Sequence, residues 1–480
     1  MNPIVVRHDN VWGQITERLP NEAIAYIDGK TKYHPVGYDK TWNFKKKRWD
    51  GFNHCFDMQY QRFRVGLLPR ILSALEFCGF KPTLDYIGSR GAGAAIAAQL
   101  PDGIVRSYDF QAKVRQVVQD EERGIIVSPT GTGKTIMAAL MIDELKIRTL
   151  VILNDLVLLD QMERSLIKRF PDASIGYIGA SEFKLGDITV ATVQSLRSIL
   201  GIENRKNAKE SPNRGDLERH LERVGVIIHD EAHLADAETC VAVYTKFPNA
   251  NRIYGFSATP YGWADKTHKS TNVELEQVFG GVIYDTSKID FIELGLKVPL
   301  VVKSVQVQER MKTYGTFHDN QAELYKKALK WEILENEDWF STIDREVKEF
   351  NGHGMSCFVY ASHSIEYGQK LADRLGAPFV QGKTPRKERF RIFDAIQDKS
   401  ILTIVSDIGG VGLDIPSLDV FVLGSDSKDV RQMKGRVERG SPDTGKKNGI
   451  FLDLWKDCSF LHSHRKTRLN QYKQNGDLVL

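Results

Sequence analysis

Short runs with consecutive apolar centres recur through residues 104–292: GIIVS, TLVILN, DITVAT, GVIIHD and IYGFSAT. Helical stretches such as IMAALMIDELK and AETCVAVYTKF separate them. A strand that is apolar at consecutive positions buries both faces, so it belongs inside a parallel sheet covered by helices on each side. The rhythm returns in residues 293–480 with SCFVYA, PFVQG, LTIVSD, DVFVLG and GIFLDL. The pattern predicts an α/β chain with two parallel-sheet lobes in tandem.

Residues 1–88 read differently. Short β-like runs (IVVRH, EAIAYID) precede a helix in LLPRILSALEFCGF, with Pro69 in its first turn and Gly79 as its stop. A small N-terminal α+β domain is expected there. The Gly/Ala-rich stretch 89–103, closed by Pro101 and Gly103, reads as a linker or a loosely packed helix. Residues 201–223 read as an exposed loop leading into a helix. The 480-residue length fits about three domains.

No apolar run reaches the roughly 18 residues of a membrane span; LVILNDLVLL is cut by Asn154 and Asp155. MNPIVVRHDN lacks a signal-peptide pattern, and the five scattered cysteines never form CxxC. An intracellular, cytoplasmic protein with reduced thiols, no membrane and no zinc site is expected.

SPTGTGKT, residues 128–135, lies between the strand GIIV and a helix, the context a phosphate loop requires. Gly131 and Gly133 let the backbone of Thr130–Gly133, Thr132 included, curl its N–H groups toward an anion. Lys134 can reach β- and γ-phosphates, and Thr135 can ligate Mg2+. Ser128 replaces the first glycine of the usual pattern. HDEAH, residues 229–233, follows the strand VGVII. An acidic pair at the carboxyl end of a parallel strand sits where such sheets bind ligands. Asp230 would hold Mg2+, and Glu231 would orient and deprotonate an attacking water. A helix cap by Asp230 would read the same in isolation. QMKGRVER, residues 432–439, sets Arg436 and Arg439 three apart on one helical side, as a nucleotide-sensing finger or as a solvated basic helix.

Taken in order, SPTGTGKT, HDEAH, FSATP (256–260), DIGGVGLDIP (407–416) and QMKGRVER resemble the motif set of a superfamily 2 helicase of the DEAH type. The likeness covers roughly residues 104–455 and implies two RecA-like lobes, lobe 1 at 104–292 and lobe 2 at 293–480. It implies ATP with Mg2+ between them, and closing and opening that step the lobes along a strand. Position by position, it implies adenine recognition by Gln111 in YDFQ. Ser257 and Thr259 would couple hydrolysis to lobe movement. Gly412 and Asp414 would touch the nucleotide, while Gln432, Arg436 and Arg439 would sense the γ-phosphate. Strand contacts would fall at Thr192 and Gln194 in lobe 1, and at Ser362, His363 and Ser406 in lobe 2.

Two departures stand out. Asn154-Asp155 occupies the place of the usual Pro-Thr, and Asp155 beside a phosphate would repel it. The second-lobe loop SDIGGVGLD is unusually rich in glycine.

Residues 1–100 hold 14 Lys+Arg against 9 Asp+Glu, so they carry +5 while the other 380 residues carry −1. The cations cluster in TWNFKKKRWDGF, residues 41–52. Lys45, Lys46, Lys47 and Arg48 suit phosphates, and Trp42 or Trp49 suits an exposed base. A solvated turn over two core tryptophans would give the same letters. KKKRWDGF with the helix that follows is similar to the N-terminal domain of phage recombination helicases of the UvsW type. That likeness implies a phage-encoded motor in a host cytoplasm, active on single-stranded and branched duplex DNA in recombination and repair. A monomer suffices for a tandem-lobe ATP site. An RNA helicase of the same superfamily, or a nucleotide-gated clamp that does not translocate, would share the core motifs. The basic tail at 464–473 reads as a solvated terminal helix or a further DNA contact.

Overall fold

The computed structural model describes residues 2–35, 37–88, 93–103, 107–202, 211–234, 237–258, 271–315, 320–408, 415–440 and 445–480. Thr259, Gly412 and Asp414 lie outside the described residues. The chain forms two compact units, residues 1–129 with 133–289 and residues 130–132 with 290–480.

Lobe 1 is built on an eight-stranded sheet. Its order is Glu182–Lys184, Ile175–Gly179, Ile188–Thr192, Thr149–Leu153, Val226–His229, Arg252–Ser257, Arg123–Val127, Val282–Asp285. All neighbours run parallel except the edge strand Glu182–Lys184. Alternate residues enter opposite cores, as the pleat requires. Ile126, Val151, Val190, Ile228 and Phe256 join one core, and Ile125, Ile152, Ala191 and Ile227 join the other. The double-sided apolar runs of the sequence are thereby explained. The strands of this sheet that lead to candidate residues run parallel and end at one edge of it.

The second unit holds a seven-stranded, all-parallel sheet. Its order is Phe379–Val380, Thr403–Ser406, Cys357–Tyr360, Val420–Leu423, Gly449–Trp455, Leu300–Gln306, Leu478–Val479. The chain is thus α/β with two tandem parallel sheets of the RecA-like kind.

The basic tail is not a solvated helix. Helix Ser459–Asn475 carries Arg468 and Tyr472 into the interior, at 1% and 0% exposure. Arg468 reaches Asp453 Oδ1 at 2.9 Å and Asp426 Oδ1 at 3.5 Å, while the Tyr472 hydroxyl donates to Asp453 at 3.0 Å. Two buried carboxylates require that cation, so one face of the tail helix is core while Lys466 and Lys473 stay exposed, and the tail's last strand pairs with Leu300–Gln306.

The N-terminal domain is a five-stranded sheet in the order Phe56–Asp57, Arg62–Arg64, Trp12–Ile15, Asn2–His8, Phe80–Tyr86. Helices Asn21–Thr31 and Leu68–Phe77 share its core, which includes Ile4, Val6, Phe63, Ile27 and Leu75. Pro69 sits in the first turn of the second helix, as expected. This core also takes in Val273 of the lobe 1 helix Thr271–Phe279. Gly66 approaches that helix so closely that a Cβ would lie 2.1 Å from the Glu276 carbonyl. Arg70 and Glu276 form an ion pair. Arg123 donates to the Val278 and Asn10 carbonyls, each at 2.6 Å, and its burial there lowers its pKa to about 10.

Of the segment read as a linker, residues 93–103 are described, and they pack onto lobe 1. Ala95 bridges Ile147, Ala94 N–H donates to the Arg223 carbonyl at 2.8 Å, and Ile96 and Ala98 are buried in a lobe 1 core. Small side chains let this stretch lie flat against the sheet's end. Among the described residues no helix is long and apolar enough to cross a membrane. The cysteines are free thiols.

Candidate active site

The phosphate loop begins where strand Arg123–Val127 ends, tied at its root by Ser128 N–H donating to the Ser257 carbonyl at 2.9 Å. Gly131 and Gly133 have φ of +84° and +87°, a region that side chains with a Cβ rarely enter. Helix Lys134–Leu145 starts at once, so its first N–H groups face the loop. Thr132 is buried, while Thr130, Lys134 and Thr135 are half-buried.

Strand Val226–His229 delivers Asp230 and Glu231 to the same edge. The Lys134 ammonium lies 2.7 Å from Glu231 Oε1 and 3.9 Å from Asp230 Oδ1. Burial raises the Asp230 carboxyl above the usual range; Lys134 opposes that shift and Glu231 adds to it. Glu231 itself has φ of +50°, a strained conformation for a residue with a side chain. What holds it is local. Glu231 N–H donates to Asp230 Oδ1 at 2.9 Å. The Asn154 amide donates to the carbonyls of Asp230 and Glu231 at 3.4 and 3.3 Å.

The departure at Asn154-Asp155 therefore has a structural use. Asp155 caps helix Leu156–Arg169, accepting from Val157 N–H at 2.7 Å. Its carboxylate is committed to a helix N-terminus.

His233 was not among the residues picked from the sequence. Its Nδ1 lies 3.4 Å from Glu231 Oε2 and 2.9 Å from Ser257 Oγ. It thus stands between the acidic pair and the end of strand Arg252–Ser257. The signal was present as the last letter of HDEAH, but only the fold brings Ser257 beside it. His229 is a core residue: its ring meets the Tyr244 hydroxyl at 2.6 Å, and burial depresses its pKa to about 3.

Gln111 is brought to the loop. Its carbonyl accepts from Tyr108 N–H at 3.0 Å, and its Nε2 lies 2.3 Å from where a Cβ on Gly133 would stand.

The strand-contact candidates divide. Thr192 is buried and caps helix Val193–Leu200 through Ser195 N–H at 3.2 Å, whereas Gln194 is exposed. Ser362 N–H donates to Ser425 Oγ at 2.8 Å, and His363 Nε2 accepts from Asp426 N–H at 3.0 Å. Burial lowers the His363 pKa, against the pull of Asp426. Ser406 is buried and donates to the Val380 carbonyl at 2.7 Å.

Gln432, Arg436 and Arg439 lie in and just after helix Arg431–Val437. Arg436 is buried, and desolvation lowers the Arg439 pKa to about 10. A solvated basic helix does not look like this.

In the N-terminal domain Lys45, Lys46, Lys47 and Arg48 are all exposed. The Arg48 guanidinium lies over the Trp42 ring at 4.4 Å, and Trp42 is 57% exposed. Trp49 is half-buried, its indole N–H donating to the Phe52 carbonyl at 2.8 Å. The tryptophans are therefore not both core residues.

Comparison with known proteins bears on the family. Residues 101–262 match the family of the type III restriction enzyme res subunit, and residues 339–441 match the helicase conserved C-terminal domain. The DNA 3'-5' translocase XPB2 of Sulfurisphaera tokodaii is 32% identical over 366 residues, covering 69% of this chain and 77% of that protein. The DNA 3'-5' helicase XPB of Kineococcus radiotolerans is 26% identical, covering 67% of this chain and 55% of its own length. The chain spans about half the length of several such relatives.

Among solved structures, S. cerevisiae Dbp5 bound to RNA and ADP BeF3 superposes with a TM-score of 0.53 at 14% identity, over 78% of this chain and 90% of its own. Mycobacterium smegmatis Lhr bound to ssDNA and AMP-PNP gives 0.51 at 18%, over 77% and 48%. These likenesses speak for the fold alone, and that fold accommodates RNA in one case and DNA in the other. T4 UvsW aligns over 100% of this chain and 99% of its own at 16% identity, with a TM-score of 0.44. With its phosphate loop, acidic pair and two parallel-sheet lobes, and with an XPB translocase as a relative over most of that protein's length, the chain belongs to the superfamily 2 helicases, alongside those of the XPB type.

Proposed function

We propose that this chain is an ATP-driven DNA helicase or translocase that acts on branched DNA, moving 3' to 5' along one strand. The observation that carries the motor part is the Lys134–Glu231 ion pair, 2.7 Å long, at the foot of the phosphate loop. A triphosphate competes with Glu231 for the Lys134 ammonium. Once Lys134 turns to the phosphates, Glu231 is released to accept a proton from the attacking water. His233 passes the change at Glu231 to Ser257 and so to the neighbouring strand.

The residues present fit Mg2+. Thr135 Oγ1 and the Asp230 carboxylate are hard oxygen donors, and among the described residues no group of three or more His, Cys, Asp or Glu competes as a metal cage. Bound there, Mg2+ would supply charge neutralisation on phosphate oxygens. Gln111 keeps the base-reading role. Gln432, Arg436, Arg439, Gly412 and Asp414 keep the phosphate-sensing and nucleotide-contact roles that the family likeness implies.

The choice of DNA and the direction follow the relatives named DNA 3'-5' helicases and translocases. The choice of a branched substrate follows the exposed Lys45–Arg48 cluster, a phosphate anchor outside the motor lobes. The test is ATP turnover with single-stranded DNA or RNA of equal length, and strand displacement on tailed duplexes, forks and four-way junctions. Stimulation by DNA and preference for forks or junctions are expected. Equal stimulation by RNA overturns the DNA assignment. Equal work on simple tailed duplexes overturns the branched one. ATP-dependent binding without displacement marks a clamp.

A further inference from the structure

The N-terminal sheet turns an unusual face outward. Strand Trp12–Ile15 pairs antiparallel with Arg62–Arg64, in the register Trp12 with Arg64, Gly13 with Phe63 and Gln14 with Arg62. Phe63 and Ile15 point into the core. Paired residues share a face, so Trp12, Gln14, Arg62 and Arg64 lie together on the other side. There the Arg62 and Arg64 guanidinium groups sit 4.0 and 3.5 Å from the centroid of the Trp12 ring. This face forms one wall of a cavity of about 1040 Å3 that Phe52, Tyr60 and Glu274 of lobe 1 also line. Tyr60 is 61% exposed at the tip of its hairpin.

The chemistry of the lining selects a class of occupant. Arg62 and Arg64 are matched in charge by Asp57 and Glu274, which line the same cavity, and His54, also in the lining, is paired with Asp28 and Asp50. A balanced pocket does not select a polyanion. It offers instead flat π surfaces and stacked guanidinium planes, on which a nucleobase lies well whatever its identity. The cations for a backbone are next door. Phe52 closes the segment that carries Lys45, Lys46, Lys47 and Arg48, and a second cavity, of about 600 Å3, is lined by Lys45, Lys47 and Arg48 against Asp39 and Asp50, with Phe44 and Trp49, a net cationic excess of one. Bases inside a duplex are stacked on one another, so only unpaired nucleotides can present a face.

We propose that the cavity walled by Trp12, Tyr60, Arg62 and Arg64 receives unpaired bases of a DNA strand beside a duplex whose phosphates lie on Lys45–Arg48. The inference rests on the branched-DNA reading above and gives it a second, separable contact.

The test uses the full-length protein without ATP. One probe is a fork with two unpaired arms, the second a blunt duplex of equal length, and the third the same fork with abasic sites next to the junction. Tyr60→Ala with Arg62→Ala removes two exposed side chains, and unchanged thermal melting verifies the fold. Loss of one stacked base predicts about tenfold weaker fork binding. Blunt-duplex binding stays the same, and the abasic fork binds wild-type protein as weakly as the variant binds the intact fork. Unchanged fork binding, or equal weakening on the blunt duplex, overturns the inference. A variant with Lys45, Lys46, Lys47 and Arg48 all replaced by Ala separates the two readings. If it weakens both probes while the Tyr60/Arg62 variant weakens neither, the phosphate anchor stands and the base pocket falls. If it weakens neither while the Tyr60/Arg62 variant still weakens the fork, the pocket stands and the anchor falls.

Discussion

Glu231 Oε1 lies 2.7 Å from the Lys134 ammonium, and its other oxygen lies 3.4 Å from His233 Nδ1. One carboxylate thus answers to the phosphate loop and to the neighbouring strand. Glu231→Gln keeps shape and hydrogen bonding but removes the base. ATP turnover is expected to fall by about 10²–10⁴-fold, with nucleotide binding retained. A variant that keeps full turnover would show that another group takes the proton.

His233 Nδ1 lies 2.9 Å from Ser257 Oγ, at the end of a strand next to the one that leads into the phosphate loop. His233→Ala is therefore expected to lower strand displacement more than basal ATP turnover. The measurement is base pairs opened per ATP consumed. Loss of both in equal proportion would place His233 in the hydrolytic step itself.

Asp155, which the sequence presents only as a charge that would repel a phosphate, caps a helix. As the cap of helix Leu156–Arg169, its replacement by Ala is expected to cost about 1 kcal/mol of stability. DNA affinity should stay the same. Tighter DNA binding by Asp155→Ala would reveal that its charge repels a phosphate after all.

How much of this was legible beforehand depends on the reach of each interaction. The phosphate loop is a local object: Gly131, Gly133 and Lys134 act within a few residues of one another, so spacing alone exposes it. The two sheets were equally plain, because a strand buried on both faces must be apolar throughout. The Asn154 support of the strained Glu231 was not visible, since its partners lie about 76 residues away and meet it only through strand pairing. Arg468 was misread for the same reason. A run of basic letters looks solvated until two buried carboxylates, one from a strand and one from a loop, close on it. The 89–103 stretch looked loose because small residues signal flexibility in isolation, although Ile96 and Ala98 fill a core.

Arg468 gives that lesson a measurable form. It holds Asp453 and Asp426 in an interior where neither carboxylate meets water. Arg468→Ala leaves buried charge behind, and a loss of about 3–5 kcal/mol is expected. Denaturant melts of the full chain would show it as an early transition of the second unit. DNA binding by the folded protein should change little. A small stability change together with a large loss of DNA affinity would restore the tail as a binding surface.

His54 makes stability depend on pH. Its Nδ1 lies 2.6 Å from Asp28 and its Nε2 3.0 Å from Asp50, and Lys32 also reaches Asp28 at 3.1 Å. Partial burial works against the imidazolium, but the hydrogen bonds and charges of Asp28 and Asp50 outweigh it and hold the pKa above the ordinary 6.5. A His whose folded pKa is raised binds its proton more tightly in the native state. The resulting stabilisation is complete below pH 6.5, and it is lost as pH rises through the folded value. Because Asp50 directly follows Trp49, the effect bears on the basic loop. Thermal melts of wild type and His54→Gln should differ more at pH 6 than at pH 8.5. A gap that is constant across that range would mean His54 acts by shape and hydrogen bonding alone, with its charge contributing nothing.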